Sequence, residues 1–278
     1  MTLRFLLLVL CSFSASAQTV QIGVLTLFHP TCLEIRPTPL NSVLLSTERA
    51  QFILNGEPGR AMASVRIENT RMFLGSSPID TIRVSTRDGG PAEFIVSVPD
   101  KITRRYQGIL RISTNGAELI PVVSMDIETA TASIVAAESP PGAPFEALKA
   151  QAIAARSFLY AAGGRHPEYG FCDTTHCQFL REPPPVQSPA FEATVATRKT
   201  ILIWRGRPLA AAYFSRCESE SVTPRGVEIA AVGYPYPGMC QYGAAEMAEG
   251  GSTYMAILHH FYPESQLTAI PSAQRQPW

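Results

Sequence analysis

The segment FEALKAQAIAARSFLYAA, residues 145–162, constrains the fold more than any other part of the chain. Pro144 before it fits the first turn of a helix, and Gly163-Gly164 after it is typical of a helix end. The small alanine side chains would let another element pack closely. The segment therefore predicts a helix within a tightly packed fold. Its apolar side chains recur at helical spacing, in a stripe of Leu148, Ala152, Ala155 and Leu159.

The segments around this helix predict an α+β fold, with a strand-rich N-terminal part followed by a mixed helix and strand region. Residues 20–127 contain short apolar or alternating runs, such as VQIGVLTLF and AEFIVSVP, separated by turn signals. Asn115-Gly116 between two such runs predicts a hairpin. Farther along, AFEATVATRKT predicts a helix, and the residues around Arg205-Gly206 predict two strands. STYMAILHHFYP predicts a closing helix with Ser252 as its N-cap.

The first 17 residues resemble a cleaved secretory signal peptide. Arg4 is followed by an apolar run and then by small residues that end in Ala15-Ser16-Ala17, so the cut is expected before Gln18. The apolar run is too short to span a bilayer, and no other run approaches that length. We therefore expect an exported protein, periplasmic or extracellular, without a membrane span.

Charge and cysteine content restrict the function further. The chain has 23 Lys and Arg residues against 23 Asp and Glu residues, so the basic excess typical of a nucleic-acid partner is missing. Six cysteines become five once Cys11 leaves with the signal peptide. An odd number cannot be fully paired within one chain in an oxidising compartment. At least one thiol is then free, intermolecular or bound to a metal.

The segment GFCDTTHCQF, residues 170–179, is a candidate metal site. Thiolates of Cys172 and Cys177 and the imidazole of His176 suit zinc, with His166 as the nearest fourth ligand. A disulfide between Cys172 and Cys177 is an equally good interpretation at this point. Catalysis by one of these cysteines is weakly supported, because adjacent residues point in different directions.

Glu138 and two basic residues are candidates for a functional site. Glu138 follows an apolar stretch and precedes a loop that contains three prolines. A carboxyl group beside apolar surface tends to stay protonated, as a general acid at neutral pH must, although most such glutamates are solvated helix ends. Lys149 and Arg156 share one flank of the predicted helix, where they form either a solvated face or a contact with a ligand.

Several motifs, in order, resemble the stage II sporulation protein D (SpoIID) family and its LytB amidase-enhancer relatives. They are AAESPPGAPFEALKAQAIAARSFLYAA, FCDTTHCQFL and GMCQYGAAEMAEGGSTYMAILHHFYP. The resemblance runs from about Arg104 to Leu267. It implies a SpoIID-like domain at 104–278, which follows the predicted signal peptide at 1–17 and the strand-rich region at 18–103.

The resemblance implies a lytic transglycosylase that acts on peptidoglycan. Such an enzyme cleaves the β-1,4 bond after N-acetylmuramic acid in peptide-stripped glycan strands and leaves 1,6-anhydro ends. Glu138 would be the catalytic acid. Gln178, Gln241 and Tyr242 are uncharged polar groups suited to sugar hydroxyls, or else to structural hydrogen bonds. The alternative is a non-catalytic glycan-binding protein that stimulates a cell-wall amidase.

The resemblance also bears on the cysteines. It favours a structural zinc ion held by Cys172, His176, Cys177 and, less directly, His166. Cys217 and Cys240 both fall within family motif regions, which favours a disulfide between them. The segment SRCESESVTP departs from the family pattern, because Glu218 and Ser219 replace a glycine pair. This departure leaves room for the enhancer alternative.

Overall fold

The computed structural model describes residues 18–56, 62–217 and 234–270. The predicted signal peptide and the two residues that depart from the family pattern, Glu218 and Ser219, lie outside the described residues.

The described residues form 17 strands and five helices, which confirms the predicted α+β fold. The helices are α1 (Ile127–Glu138), α2 (Phe145–Ala161), α3 (Pro189–Ala196), α4 (Gln241–Glu249) and α5 (Tyr254–Phe261). The first eleven strands all precede α1; they are β1 (Thr19–Gly23), β2 (Cys32–Pro37), β3 (Ser42–Ser46), β4 (Gln51–Asn55), β5 (Ala63–Glu68), β6 (Arg71–Leu74), β7 (Ser77–Ile79), β8 (Ile82–Ser85), β9 (Ala92–Val98), β10 (Ile102–Thr114) and β11 (Leu119–Asp126). The later strands are shorter; they are β12 (Phe171–Cys172), β13 (Thr200–Trp204), β14 (Arg207–Pro208), β15 (Tyr213–Phe214), β16 (Met239–Cys240) and β17 (Gln266–Ala269).

The first eleven strands and β12 make one branched sheet. Its main path runs β12-β1-β11-β10-β9-β2-β5-β6-β7, and β8, β3 and β4 branch from β10. The β10–β11 pair is the hairpin predicted at Asn115-Gly116. β10 is 13 residues long, and its first half pairs with β9 while its second half pairs with β11 and β8. The predicted domain boundary at 103/104 therefore falls inside a strand, and the strand-rich part continues to Asp126.

Helix α2 lies at the centre of the remaining fold. Its residues enter all three hydrophobic clusters, so the helix is buried on nearly every face and not along one stripe alone. The fully buried alanines among them, such as Ala150 and Ala155, allow neighbouring elements to approach closely. This arrangement carries α1 and α3 along one side of α2, and β13, α4 and α5 along others.

Helix starts follow the local capping chemistry. Asp126 ends β11 and caps α1, because its carboxylate accepts hydrogen bonds from the backbone of Glu128 and Thr129. The predicted cap of α5 was one residue off: Thr253, not Ser252, accepts from the backbone N–H of Ala256. Among the described residues, no helix combines the length and apolar character that a membrane span requires.

Gly238 lets the chain just before β16 lie close to Ala212, the residue before β15. Its φ angle is +102°, and a Cβ atom there would lie 2.1 Å from the carbonyl oxygen of Ala212. Only glycine avoids both the backbone strain and this contact. The parallel β15–β16 pair, Tyr213 with Met239 and Phe214 with Cys240, depends on this close approach.

We expect Gly238→Ala to destabilise the protein by about 3 kcal/mol, because positive φ and steric overlap add. Gly206→Ala is the matched control, since Gly206 also has a positive φ of 74° but open space where its Cβ would lie. Chemical denaturation of both variants measures the difference. Equal losses of stability would show that the contact with Ala212 is unimportant.

Candidate active site and metal-ligand cluster

Glu138 is the last residue of α1, and two groups from distant segments hold its carboxylate. The backbone N–H of Phe179 donates to Oε1 at 2.7 Å. The Tyr213 hydroxyl donates a short hydrogen bond to Oε2. The carboxyl group is therefore oriented from the cysteine-containing loop on one side and from β15 on the other.

The environment of Glu138 keeps a larger fraction of its carboxyl group protonated near neutrality than an ordinary glutamate would have. Burial raises its pKa to about 6, although the hydrogen bonds from Tyr213 and Phe179 act in the opposite direction. Burial and the neighbouring carboxylate raise the pKa of Tyr213 well above its ordinary value. The tyrosine hydroxyl therefore stays protonated and remains a hydrogen-bond donor.

Glu138 lines a cleft with a volume of about 390 Å³. Its walls combine apolar rings with a few polar side chains, the usual make-up of a ligand site. Among the described residues that line it, Glu138 is the only carboxylate and Arg165 the only cation. The lining residues are Ala137, Glu138, Phe158, Arg165, Thr175, Cys177, Gln178, Phe179, Ala211, Ala212, Tyr213, Phe214, Ser215 and Gln241.

The four predicted metal ligands lie together beside this cleft. Their ligand atoms are all within 4.8 Å of one another. Cys177 Sγ lies 3.4 Å from His166 Nε2 and 3.7 Å from His176 Nδ1, and Cys172 Sγ lies 3.8 Å from His176 Nδ1. Tetrahedral zinc with Zn–S near 2.3 Å and Zn–N near 2.0 Å would separate its ligand atoms by about 3.3–3.8 Å.

The two thiols of this cluster are free in the structure and interact with each other. A hydrogen bond from Cys177 lowers the pKa of Cys172 to about 3, and the same interaction raises the pKa of Cys177. The pair therefore loses its first proton more readily than a single cysteine does. A thiolate is the form that binds a metal ion.

Buried polar contacts tie the cluster loop to the strand-rich part. Asp173, next to Cys172, is 3% exposed. Its carboxylate accepts from the backbone of Leu25 at 2.7 Å and from Arg104 Nη1 at 3.2 Å. The Arg104 guanidinium also lies 6.0 Å from the centre of the Phe179 ring. Arg104 thus links the sheet, the cluster loop and the residue whose N–H binds Glu138.

The five predicted substrate residues separate into different surroundings. Gln178 and Gln241 line the Glu138 cleft. Tyr242 is 45% exposed and does not line it; the Arg216 guanidinium lies 6.0 Å from its ring centre. Lys149 does not line the cleft either. Its ammonium group pairs with Glu146 and lies 4.8 Å from the ring centre of Tyr254.

The prediction that Arg156 contacts substrate is wrong. Its side chain is 0% exposed, and it forms an ion pair with Glu128 on α1, with Nη2 to Oε2 at 2.7 Å. It also donates to the carbonyl oxygens of Thr194 and Thr200. The flank that would be solvated in an isolated helix is covered here, because α2 is buried on nearly all sides. Arg156 therefore joins α1, α2 and α3 to β13.

The disulfide between Cys217 and Cys240 is present, with a Cα–Cα distance of 5.3 Å. It joins the chain after β15 to the end of β16, so it fixes the segments that carry Tyr213 and Gln241. Cys32 is the remaining free cysteine among the described residues and lies apart from the cluster, in β2.

Sequence reasoning missed Tyr213, Phe179 and Arg104 as parts of the site. Tyr213 lies in an ordinary apolar run, and Phe179 contributes a backbone group that any residue type would supply. Only the motif position of Phe179, directly after the Cys-Asp-Thr-Thr-His-Cys-Gln segment, could have suggested its role. Arg104 is separated from its partner Asp173 by 69 residues, so no local pattern indicates their contact.

Part of this site lies in a segment that matches a known protein family. Residues 115–204 match the SpoIID family, described as "Stage II sporulation protein". The match includes Glu138, the whole of α2 and the metal-ligand cluster, whereas Tyr213 and Gln241 lie beyond it. No curated protein matches the chain. Residues 115–204 therefore resemble the stage II sporulation protein D family, and this match supports a relationship of the chain to that family.

Proposed function

We propose that this protein is an exported lytic transglycosylase of peptidoglycan, acting in the periplasm or outside the cell. The observation that carries the proposal is the raised pKa of Glu138 at the wall of a cleft, where two hydrogen bonds orient its carboxyl group. The family match supports a cell-wall role. The substrate would be peptide-stripped glycan strands, cleaved after N-acetylmuramic acid.

Glu138 would act first as an acid and then as a base. Its proton passes to the glycosidic oxygen as the C1–O bond breaks, which gives an oxocarbenium-like transition state. The carboxylate then accepts the proton of the C6 hydroxyl as that oxygen bonds to C1. The product is a 1,6-anhydro end, and Glu138 regains its proton without a water molecule.

The lining of the cleft favours ring closure over hydrolysis. Ordinary glycosidases use two carboxyl groups on opposite sides of the scissile bond. Among the described lining residues, Glu138 is the only one with a carboxyl group. A single carboxyl group is sufficient when the nucleophile is a hydroxyl of the substrate itself.

The metal-ligand cluster fits a structural zinc ion held by Cys172, Cys177, His166 and His176. Zinc would supply a cross-link between the loop and the preceding segment that carries His166. Four protein ligands leave no open position for a reactive water molecule. The residues of the loop orient Glu138 through the backbone N–H of Phe179.

The alternative function is glycan binding without cleavage, in support of a cell-wall amidase. The departure at Glu218 and Ser219 favours it, because the family's glycine pair, which would let the backbone approach a sugar, is replaced there.

Incubation of the mature protein with peptide-free glycan strands distinguishes the two functions. We expect products with 1,6-anhydro ends. Mass spectrometry identifies them, because each is lighter than the corresponding hydrolysis product by one water molecule, about 18 mass units. Reducing ends in place of anhydro ends would contradict ring closure. Glycan binding without any product would support the amidase-enhancer function instead.

Tyr213→Phe tests whether the tyrosine sets the acidity of Glu138. The hydrogen bond from Tyr213 lowers the pKa of Glu138, so its loss raises that pKa further. We expect the alkaline limb of the pH–rate profile to move up by about one pH unit. Tyr262→Phe is the matched control, since the Tyr262 hydroxyl donates to Ala212 and not to Glu138. An unchanged limb in Tyr213→Phe would contradict the assignment.

A further inference from the structure

Two buried amide side chains in the Glu138 cleft have polar atoms without partners. Gln178 is 4% exposed and Gln241 is 7% exposed, and both line the cleft. Within the part of the chain that the structure describes, Gln178 Oε1 and Gln241 Nε2 form no hydrogen bond. Buried polar atoms are nearly always paired in native proteins, so two exceptions in one cleft indicate a ligand that completes them.

The orientation of Gln178 is set by the protein. Its Nε2 atom donates to the carbonyl oxygen of Ala155 in α2, at 3.4 Å. The opposite orientation would bring two oxygen acceptors together, so the nitrogen must face the helix. Gln178 therefore keeps Oε1 as an acceptor for a group in the cleft.

Gln241 supplies the opposite polarity. It is the first residue of α4 and directly follows Cys240, whose disulfide and parallel pairing with β15 hold this segment in place. Its unpaired atom is the amide nitrogen, which is a donor. The cleft thus contains one fixed acceptor and one donor on separate segments of the chain.

We propose that Gln178 and Gln241 bind an acetamido substituent of the sugar in the Glu138 cleft. An acetamido group has one N–H donor and one carbonyl acceptor on separate atoms, which is the complement of Gln178 Oε1 and Gln241 Nε2. Its methyl group matches the apolar part of the wall, which includes Phe158, Ala211 and Phe214. The inference rests on the proposed function and makes these residues determinants of specificity for N-acetylated glycans.

The test compares two uncharged β-1,4-linked hexasaccharides by calorimetry. Chitohexaose carries an acetamido group on every ring, whereas cellohexaose carries a hydroxyl at the same position. We expect the protein to bind chitohexaose at least about tenfold more tightly, because cellohexaose leaves buried polar atoms unpaired. Gln178→Met and Gln241→Met should each reduce this preference to near unity. Gln187→Met, at an exposed glutamine outside the cleft, should keep it.

The outcomes separate this inference from the proposed function. Equal affinity of the unmodified protein for both hexasaccharides would overturn the acetamido assignment and leave the transglycosylase proposal standing. If Glu138→Gln binds peptide-free glycan strands but neither hexasaccharide, the acetamido assignment is again overturned and the transglycosylase proposal stands. If none of the three glycans binds, both proposals fail. A Gln178→Met variant that loses affinity for both hexasaccharides equally would show a merely structural role, which also overturns the assignment.

Discussion

Replacing Glu138 by glutamine will reduce glycan cleavage at least about a thousandfold, while the fold and glycan binding persist. Glutamine is nearly isosteric with glutamate. Its amide oxygen can still accept from Phe179, and its nitrogen can donate to the Tyr213 oxygen. It carries no transferable acid proton. Release of anhydro-ended products from peptide-free strands measures the effect, and calorimetry with the same strands measures binding.

Glu192→Gln is the matched control for this variant. Glu192 lies on α3, is exposed and does not line the cleft, so its replacement should leave the rate unchanged. Retention of most of the activity by Glu138→Gln would remove Glu138 from the mechanism. A large loss of melting temperature would instead assign it a structural role.

The raised pKa of Glu138 also predicts the pH dependence of both rate and stability. The reaction needs the protonated acid, so kcat/KM should fall about tenfold per pH unit above the pKa of about 6. In the folded state the group binds its proton more tightly than in the unfolded state, where its pKa is near 4.5. Its contribution to stability is therefore greatest below pH 4.5 and decreases as pH rises through 6.

Above pH 6, burial of the ionised Glu138 lowers the free energy of unfolding by about 2 kcal/mol. Glu138→Gln would remove this loss, because glutamine carries no charge. We therefore expect the melting temperature of Glu138→Gln at pH 8 to equal or exceed that of the unmodified protein. The two proteins should differ less at pH 4. The burial argument would be contradicted if the melting temperature of Glu138→Gln, compared with that of the unmodified protein, were lower at pH 8 than at pH 4.

Removal of the proposed zinc ion is expected to cause the second large effect. We expect one zinc ion per chain, and a fall in melting temperature of about 10 °C or more when a strong chelator extracts it. The cause is the loss of the cross-link between the loop that carries Cys172 and Cys177 and the preceding segment that carries His166. Thermal denaturation with metal analysis checks both parts, and added zinc should restore the original value.

Cysteine variants make this test specific. Cys177→Ser should lose both the zinc and the stability, because it removes a ligand that lies close to both histidines. Cys32→Ser should keep both, because Cys32 is a free cysteine in β2, apart from the cluster. Mass analysis that shows Cys172 joined to Cys177, with no metal bound, would overturn the zinc assignment.

Local sequence patterns predicted the elements of the fold well. The bounds of α2 agree with Pro144 and with Gly163-Gly164 to within two residues. The β10–β11 hairpin forms at Asn115-Gly116, and β13 and β14 flank Arg205-Gly206. Helix periodicity, capping and turn preference act over a few residues, so neighbouring residues carry most of this information.

The role of a single side chain on a helix was harder to predict from the sequence. Arg156 looked like a flank residue because residues on one helix face are interpreted without knowing what covers that face. Glu128, its partner, is 28 residues away on another helix. Burial of α2 on nearly every side results from the packing of α1, α3, α4, α5 and β13 around it, and no short stretch of the sequence contains all of these elements.

The sequence by itself determined the chemistry that this protein can offer: a glutamate at a helix end, thiols and imidazoles close together in the sequence, and glutamines in two of its motifs. Only the tertiary structure decided how this chemistry is used. Phe179 and Tyr213 meet Glu138 from 41 and 75 residues away, and burial by the surrounding segments raises the pKa of Glu138. Desolvation depends on every atom near a group, so it is settled only when the whole chain has folded.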